Sequence, residues 1–233
     1  MTDAWLQEPG IVPYGTAYAA MHDLAARRAD GEIPDCLLLL EHPPTFTAGR
    51  RTDPSHLLMA GDEIERRGAE LHEVDRGGSV TFHGPGQLVG YPIVDLGPAG
   101  DVIGYLRRLE DVVIGAASDL GVALDRSDRG DTGIWAGDRK AGAIGVRVSR
   151  GVTLHGFAVN CTTELSWFDA IVPCGLADRG VASLSGLAGR TVGTADLAPL
   201  VARHFERVFD RRLVPAPVDL LGGHPVAATG SPR

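Results

Sequence analysis

Lysine is all but missing from this chain: of its 22 basic residues only Lys140 is a lysine, and the rest are arginine. Arginine keeps its charge at any physiological pH, whereas a desolvated lysine amine can release its proton. A sole lysine therefore points either to acid–base duty or to an ordinary solvated cation. An excess of positive charge is also absent. The formal net charge of −8 argues against nucleic acid as a partner, because duplex binding rests on neutralising phosphates with a basic surface. No apolar run approaches the ~18 residues of a membrane span, and the N-terminal MTDAWLQEPG has no basic segment followed by an apolar one. From these absences a soluble, cytoplasmic protein with no membrane partner is expected. Cysteine is scarce and odd in number, three in 233 residues without framework spacing, which favours free thiols in a reducing compartment. Cys and His also lack the paired short spacings of a structural zinc site, so no metal is expected.

The 233 residues, 44% of them hydrophobic, suffice for one substantial core, and no internal repeat divides them. Helical spacing predicts helices at 16–30, 62–67, 102–120 and 197–209. Short apolar or alternating runs predict strands at 36–40, 71–74, 88–96, 122–124, 132–135, 143–148 and 152–159, with a loop at 45–54. Strands arriving in runs, with helices between some of them, indicate an α+β domain with a mixed or largely antiparallel sheet. A single catalytic domain is expected over residues 1–213. Residues 214–233, rich in Pro, Gly and Ala, are expected to form a flexible tail.

Two stretches carry the chemistry. In the first, Lys140 precedes Ala-Gly-Ala-Ile-Gly, and Cys174 sits in Ile171-Val-Pro-Cys-Gly, where Pro173 fixes a turn and Gly175 admits close backbone approach. Cys36 heads one apolar run and Cys161 closes another, so both read as small buried hydrophobes. A thiol near its reference pKa of ~8.5 is mostly protonated at neutral pH, so a nucleophilic Cys174 needs a neighbouring cation or base. Lys140 is the candidate. The second stretch runs Arg76-Gly-Gly-Ser-Val-Thr-Phe-His83-Gly-Pro-Gly-Gln87. Its glycines either let backbone press against a ligand and offer N–H donors, or make a tight hairpin. It matches neither GxxxxGK[ST] nor GxGxxG. With His83 or His155 as base, a Cys–His hydrolase stays open. Arg50 with Arg51, Arg66 with Arg67, Arg107 with Arg108, and Arg139, Arg147 and Arg150 make either a local basic face or a scatter of solvated charges.

Together with His155-Gly-Phe-Ala-Val-Asn, these motifs resemble the octanoyltransferase family of lipoate biosynthesis, in the same order from about residue 34 to about residue 187. The resemblance implies the fold of the biotin and lipoate protein ligase catalytic domain. It implies Cys174 as the acyl-thioester nucleophile and Lys140 as the group that lowers its pKa. It further implies an acyl-substrate site lined by Arg76, Gly77, Gly78, Ser79, Val80, Thr81, Phe82, His83, Ala143, Ile144, Gly145, Gly156, Phe157 and Ala158, with His155 in support. Phe82 stands where the family usually has Tyr, so a hydroxyl contact is missing there. The implied reaction moves octanoyl from octanoyl-acyl carrier protein to a lysine of lipoyl domains, those of 2-oxoacid dehydrogenase complexes and the glycine cleavage H protein, with no cofactor. Both protein partners are expected to be acidic, which would give the arginine clusters a purpose. Related ligases share the fold, activate a free acid with ATP and lack this cysteine. Such a ligase, a cysteine thioesterase that passes the acyl group to water, and a non-catalytic binding protein are the alternatives.

Overall fold

The structure, a computed structural model, describes residues 1–172 and 180–222. The chain opens with a strand, β1 (Thr2–Ile11), and Pro13, whose fixed φ suits a helix entry, leads into α1 (Tyr14–Ala29). Next come β2 (Cys36–Glu41), β3 (Thr45–Ala48), α2 (Gly61–Arg66), β4 (Glu70–Glu73), β5 (Val80–His83) and β6 (Gln87–Ile93). The 18-residue helix α3 (Val102–Asp119) is capped by Asp101, whose carboxylate accepts from Gly104 N at 2.8 Å. Beyond it lie β7 (Ile134–Ala136), β8 (Arg139–Ser149), β9 (Val152–Asn160), β10 (Gly180–Val181), α4 (Leu184–Ala188), α5 (Thr194–Phe209) and β11 (Arg211–Pro215).

The strands make two sheets. In the larger, β10, β8, β9, β6, β2, β1 and β11 lie side by side, with β7 added on β8. The run β2, β6, β9, β8 is antiparallel, whereas β1 is parallel to both its neighbours and β10 is parallel to β8. In the smaller sheet β3 lies between β4, parallel, and β5, antiparallel. This is the expected α+β class with a mixed sheet. Strand alternation divides the core. Leu37 and Leu39 of β2 pack with Leu109 and Val113 of α3 and Val201 and Phe205 of α5, while Cys36, Leu38 and Leu40 face Ala17, Met21 and Leu24 of α1. A strand buried on both faces has no polar side to show, which is why β2 reads as an unbroken apolar run. A third cluster, Phe46, Val80, Phe82 and Phe168, lies against the small sheet.

Several expectations change. Residues 45–48, read as loop, are the central strand β3, because the short Thr-Phe-Thr-Ala alternates Phe46 into the core with Thr45 and Thr47 on the other side. Residues 122–124 form no strand; the pairing falls one residue later, where Asp125 bridges Trp135. The N-terminal residues enter the large sheet as β1. The expected tail starts too early: Val214 and Pro215 pair with Trp5 and Leu6, Leu220 is buried, and Gln7 donates to Asp219 at 2.7 Å and accepts from Leu220 N at 2.6 Å. Ala216, Val218, Leu220 and Leu221 supply apolar surface that the average composition of 214–233 conceals; residues 223–233 lie outside the described residues. The arginine clusters are largely spent on local partners. Arg66 pairs with Glu63, Arg107 with Glu110, Arg147 with Asp75 and Arg150 with Asp30, while Arg67 and Arg108 cover Trp167 and Phe209. Among the described residues no helix is long and apolar enough to cross a membrane.

Candidate active site

The glycine-bearing motifs come together because side chains are missing where their backbones meet. Gly77 N donates to Val146 O of β8 at 3.0 Å, and a Cβ on Gly145 would stand 3.0 Å from Gly77 O. On β9 a Cβ at Gly156 would lie 2.2 Å from Gly90 O of β6, a distance no side chain tolerates. The cavity so formed, about 50 Å³, is lined by every residue of the expected acyl site except Val80 and Phe82, and by His155. Those two are corrections. Side chains alternate along β5, so Ser79, Thr81 and His83 face the cavity while Val80 and Phe82 turn to the opposite face, where Phe82 stacks on Trp167 at 5.2 Å between ring centroids. The para carbon of Phe82 ends beside Gly84, 2.6 Å from where a Cβ there would stand, and Gly84 does not line the cavity, so the missing hydroxyl removes nothing from it. A larger recess of about 730 Å³ on that other face is lined by Leu57, Met59, Leu71, Val74 and Val80 and contains none of the paired histidines. The smaller cavity, which gathers the motif residues and the histidines, is the candidate site.

Arg76 is buried and its guanidinium is fixed by carbonyls. Nη1 donates to Ser79 O at 2.7 Å and Gly77 O at 3.1 Å, and Nη2 donates to Thr47 O at 2.6 Å and Thr47 Oγ1 at 2.8 Å. This cation conditions the histidines beside it. His83 Nδ1–H donates to Gln87 Oε1 at 2.8 Å; the Gln87 amide is itself oriented by donating to Phe82 O and Asn160 Oδ1. Its Nε2 lone pair faces Thr47 Oγ1 at 3.5 Å. Burial, with His42 and Arg76 nearby, holds His83 well below the usual histidine range. His42 donates from Nδ1 to Val12 O and accepts from the Tyr91 hydroxyl, each at 2.7 Å, and burial brings its pKa down to about 4.

His155 has a positive φ of 58°, rare for a residue with a side chain. Leu154 already faces α1, and simple alternation would send His155 to the far side of the sheet. The unusual backbone instead turns its ring back toward Tyr18 of α1, and Nε2 bonds Asp75 Oδ1 at 2.8 Å. Asp75 also receives Arg147, and His22 lies 3.4 Å from its other oxygen. Burial and Arg76 lower His155 to about 3. A neutral imidazole makes the Asp75 bond through Nε2–H, so the ring needs no charge to hold its place, and Nδ1 keeps its lone pair.

Lys140, 7% exposed, lies in an adjoining recess that shares Thr81, Ala143 and Ala158 with the main cavity. Its amine stands 4.8 Å from the centroid of the Trp135 ring. Cys174 lies outside the described residues. The chain leading to it meets the site: Val172 N donates to His56 O at 2.8 Å, and the Ser79 hydroxyl donates to His56 Nδ1 at 2.7 Å. On its far side the described chain resumes at β10, where Val181 pairs with Lys140. Cys36 and Cys161 are buried and their thiols pushed up to about 12 by that burial, so neither supplies a thiolate near neutral pH. Sequence reasoning missed Tyr14, Val89 and Tyr91, which also line the cavity. Tyr14 belongs to a helix whose apolar stripe looks like ordinary core, and nothing local marks it. Asp75, adjacent to the Arg76 motif, was the one partner of His155 that proximity to a motif would have flagged. No cluster of potential metal ligands exists among the described residues.

Known proteins resemble this chain in sequence and in fold. Residues 13–206 match the model of the lipoyl protein ligase A/B catalytic domain. The octanoyltransferase of Acidothermus cellulolyticus is 51% identical over 82% of this chain and 86% of its own length. That of Mycobacterium ulcerans is 49% identical over 84% of each. Among solved structures, the bipartite lipoate protein ligase of Thermoplasma acidophilum superposes with a TM-score of 0.74 over 93% of this chain and 87% of its own, at 17% identity. A lipoate-protein ligase A bound with ATP gives 0.75 over 92% and 88%, at 18% identity. The last two establish the fold.

Proposed function

The chain belongs to the octanoyltransferase family, and from that membership we propose a two-step transfer in which Cys174 carries the octanoyl group between an acyl carrier protein and a lysine of a lipoyl domain. The observation that supports it most is convergence: three of the sequence motifs, those that begin at Arg76, Lys140 and His155, line one cavity, and the sole lysine occupies the adjoining recess. The donor thioester is already activated, so no ATP is required. In the first step the Cys174 thiolate attacks the octanoyl carbonyl, a C–S bond forms, and the carrier thiolate departs, taking the proton that Cys174 gave to Lys140. In the second step the neutral amine of the acceptor lysine attacks the enzyme thioester, the C–N bond forms, and Cys174 leaves as thiolate. The amine proton passes to Lys140, which restores the starting pair.

The geometry divides the remaining labour. His83 and His155 are neutral, and their low proton affinity makes them poor bases at neutral pH, so they orient rather than transfer protons. Arg76 keeps a fixed positive charge near the reacting carbonyl. Gly77 N is already donated to Val146 O, which leaves Gly78 or Gly145 as the backbone donor in this proposal for the tetrahedral oxyanion, a contribution of roughly 3–4 kcal/mol where such a donor is in place. The test is intact-mass analysis after incubation with octanoyl carrier protein and no ATP. The proposal expects one octanoyl adduct on the wild type and none on Cys174→Ala. An adduct at Cys36 or Cys161, or turnover that depends on ATP, sinks it.

A further inference from the structure

Lys140 is gripped by a segment that has no part in the motifs. Gly133 has φ 133°, and a Cβ there would sit 2.6 Å from Lys140 Cε and 2.9 Å from Gly142 O, so the glycine lies directly on the lysine stem. Two residues on, the Trp135 ring covers the amine. Trp135 is tied on one side to Asp125, through two backbone hydrogen bonds of 2.8 Å each, and on the other to Lys140 by strand pairing. The position of this segment is set by Glu110, a fully buried acid on α3. Its Oε2 accepts from Arg107 Nη1 at 2.7 Å and Arg126 Nε at 2.9 Å, and its Oε1 accepts from Gly133 N at 3.3 Å. A carboxylate is retained in a core only when it is paired in this way, and removing it would leave those donors without their shared acceptor. Arg126, anchored also to Asp111 at 2.6 Å, fixes the far end of the same segment.

We propose that Glu110 is a positioning residue for Lys140, acting through Gly133 and Trp135: its carboxylate seats the segment from 126 to 136, and that segment holds the lysine stem and shields its amine. The consequence for turnover rests on the reading of Lys140 as the proton-transfer group; the positioning itself does not. Because the chain has one lysine, its amine can be followed alone. Trace acetic anhydride at fixed pH competes between Lys140 and the N-terminal amine, and peptide mass spectrometry gives the ratio of the two labels in the full-length protein.

Glu110→Ala and Trp135→Leu are expected to raise labelling of Lys140 relative to the N-terminus by about tenfold, as local opening admits the reagent. Both should lower kcat while leaving the donor KM within about twofold, since neither residue lines the acyl cavity. The conservative changes supply the control. Glu110→Gln keeps an acceptor for Gly133 N, and Trp135→Phe keeps a ring face over the amine, so both should stay near wild type in labelling. If Glu110→Ala does not fold, Trp135→Leu carries the comparison. A labelling ratio unchanged in folded Trp135→Leu and Glu110→Ala overturns the proposal, as does an increase equally large in Trp135→Phe and Glu110→Gln. Raised labelling with unaltered kcat supports the positioning and overturns instead the proton-transfer role given to Lys140.

Discussion

A single glycine shows how tightly the cavity wall is specified. Gly156 faces Gly90 O so closely that even a methyl group cannot enter, and the obstruction is backbone, which has little freedom to move. Gly156→Ala should therefore cost about 3 kcal/mol, at the upper end for overpacking, read as a lower urea midpoint. A midpoint within error of wild type would show that β6 and β9 have room between them. The cysteines give a second prediction at this scale. Burial raises Cys36 and Cys161 to about 12, so iodoacetamide at pH 8 should leave both unlabelled in the native protein while Cys174 reacts. Rapid labelling of Cys161 would show that its thiol is not buried and would weaken the proposal that Cys174 is the nucleophile. At this scale the sequence was informative where a residue type is rare or chemically costly, as with Lys140 and the glycines. It named His155 but was blind to the turn of its ring, whose positive φ no neighbour announces.

Among the elements, the C-terminal strand β11 and residues 216–222 changed most between sequence and structure. Leu220 is buried and residue 219 is bonded to Gln7 of β1, so the segment from 216 to 222 completes the core beside α1. Truncation after Pro215 should lower Tm more than truncation after Gly222, by roughly 4–8 °C, from about 2 kcal/mol for one buried leucine. Equal melting temperatures would mean that these contacts contribute nothing. The long helices and the buried strand β2 were legible because their apolar periods extend over many residues. β3 was not, since four residues between a double proline and a glycine carry too short a pattern to tell a strand from a loop. Alternation also corrected the site: knowing that 80–83 is a strand is enough to separate Thr81 and His83 from Val80 and Phe82, a step that motif residues taken singly cannot make.

For the whole molecule, neutral buried histidines imply a particular acid sensitivity. His42 and His155 have folded pKa values of about 4 and about 3, below the ~6.5 of an unfolded chain. Between those limits the unfolded state binds more protons, so the stability they contribute is full above pH 6.5 and is lost as pH falls toward 3–4. At pH 5 the loss is about 2 kcal/mol for each histidine, a large part of a typical domain's stability. Urea midpoints should fall between pH 7.5 and 5, and His155→Gln should flatten that fall by roughly a third, since His42 and His83 are buried and lowered as well. A flat profile in the wild type would mean that these rings are charged or solvated.

In the proposed mechanism the octanoyl group rests on the enzyme and then leaves with the help of Lys140 acting as a base. The most direct measurement isolates the acyl-enzyme and chases it, under single-turnover conditions, with a lipoyl domain in the absence of carrier protein and ATP. Octanoyl should pass from the enzyme to the domain in the wild type. In Lys140→Arg, which keeps a positive charge but cannot give up a proton, some acyl-enzyme should still form while the chase slows by ~100-fold or more. An acyl-enzyme that yields only free octanoate, or a Lys140→Arg chase at the wild-type rate, would contradict the account.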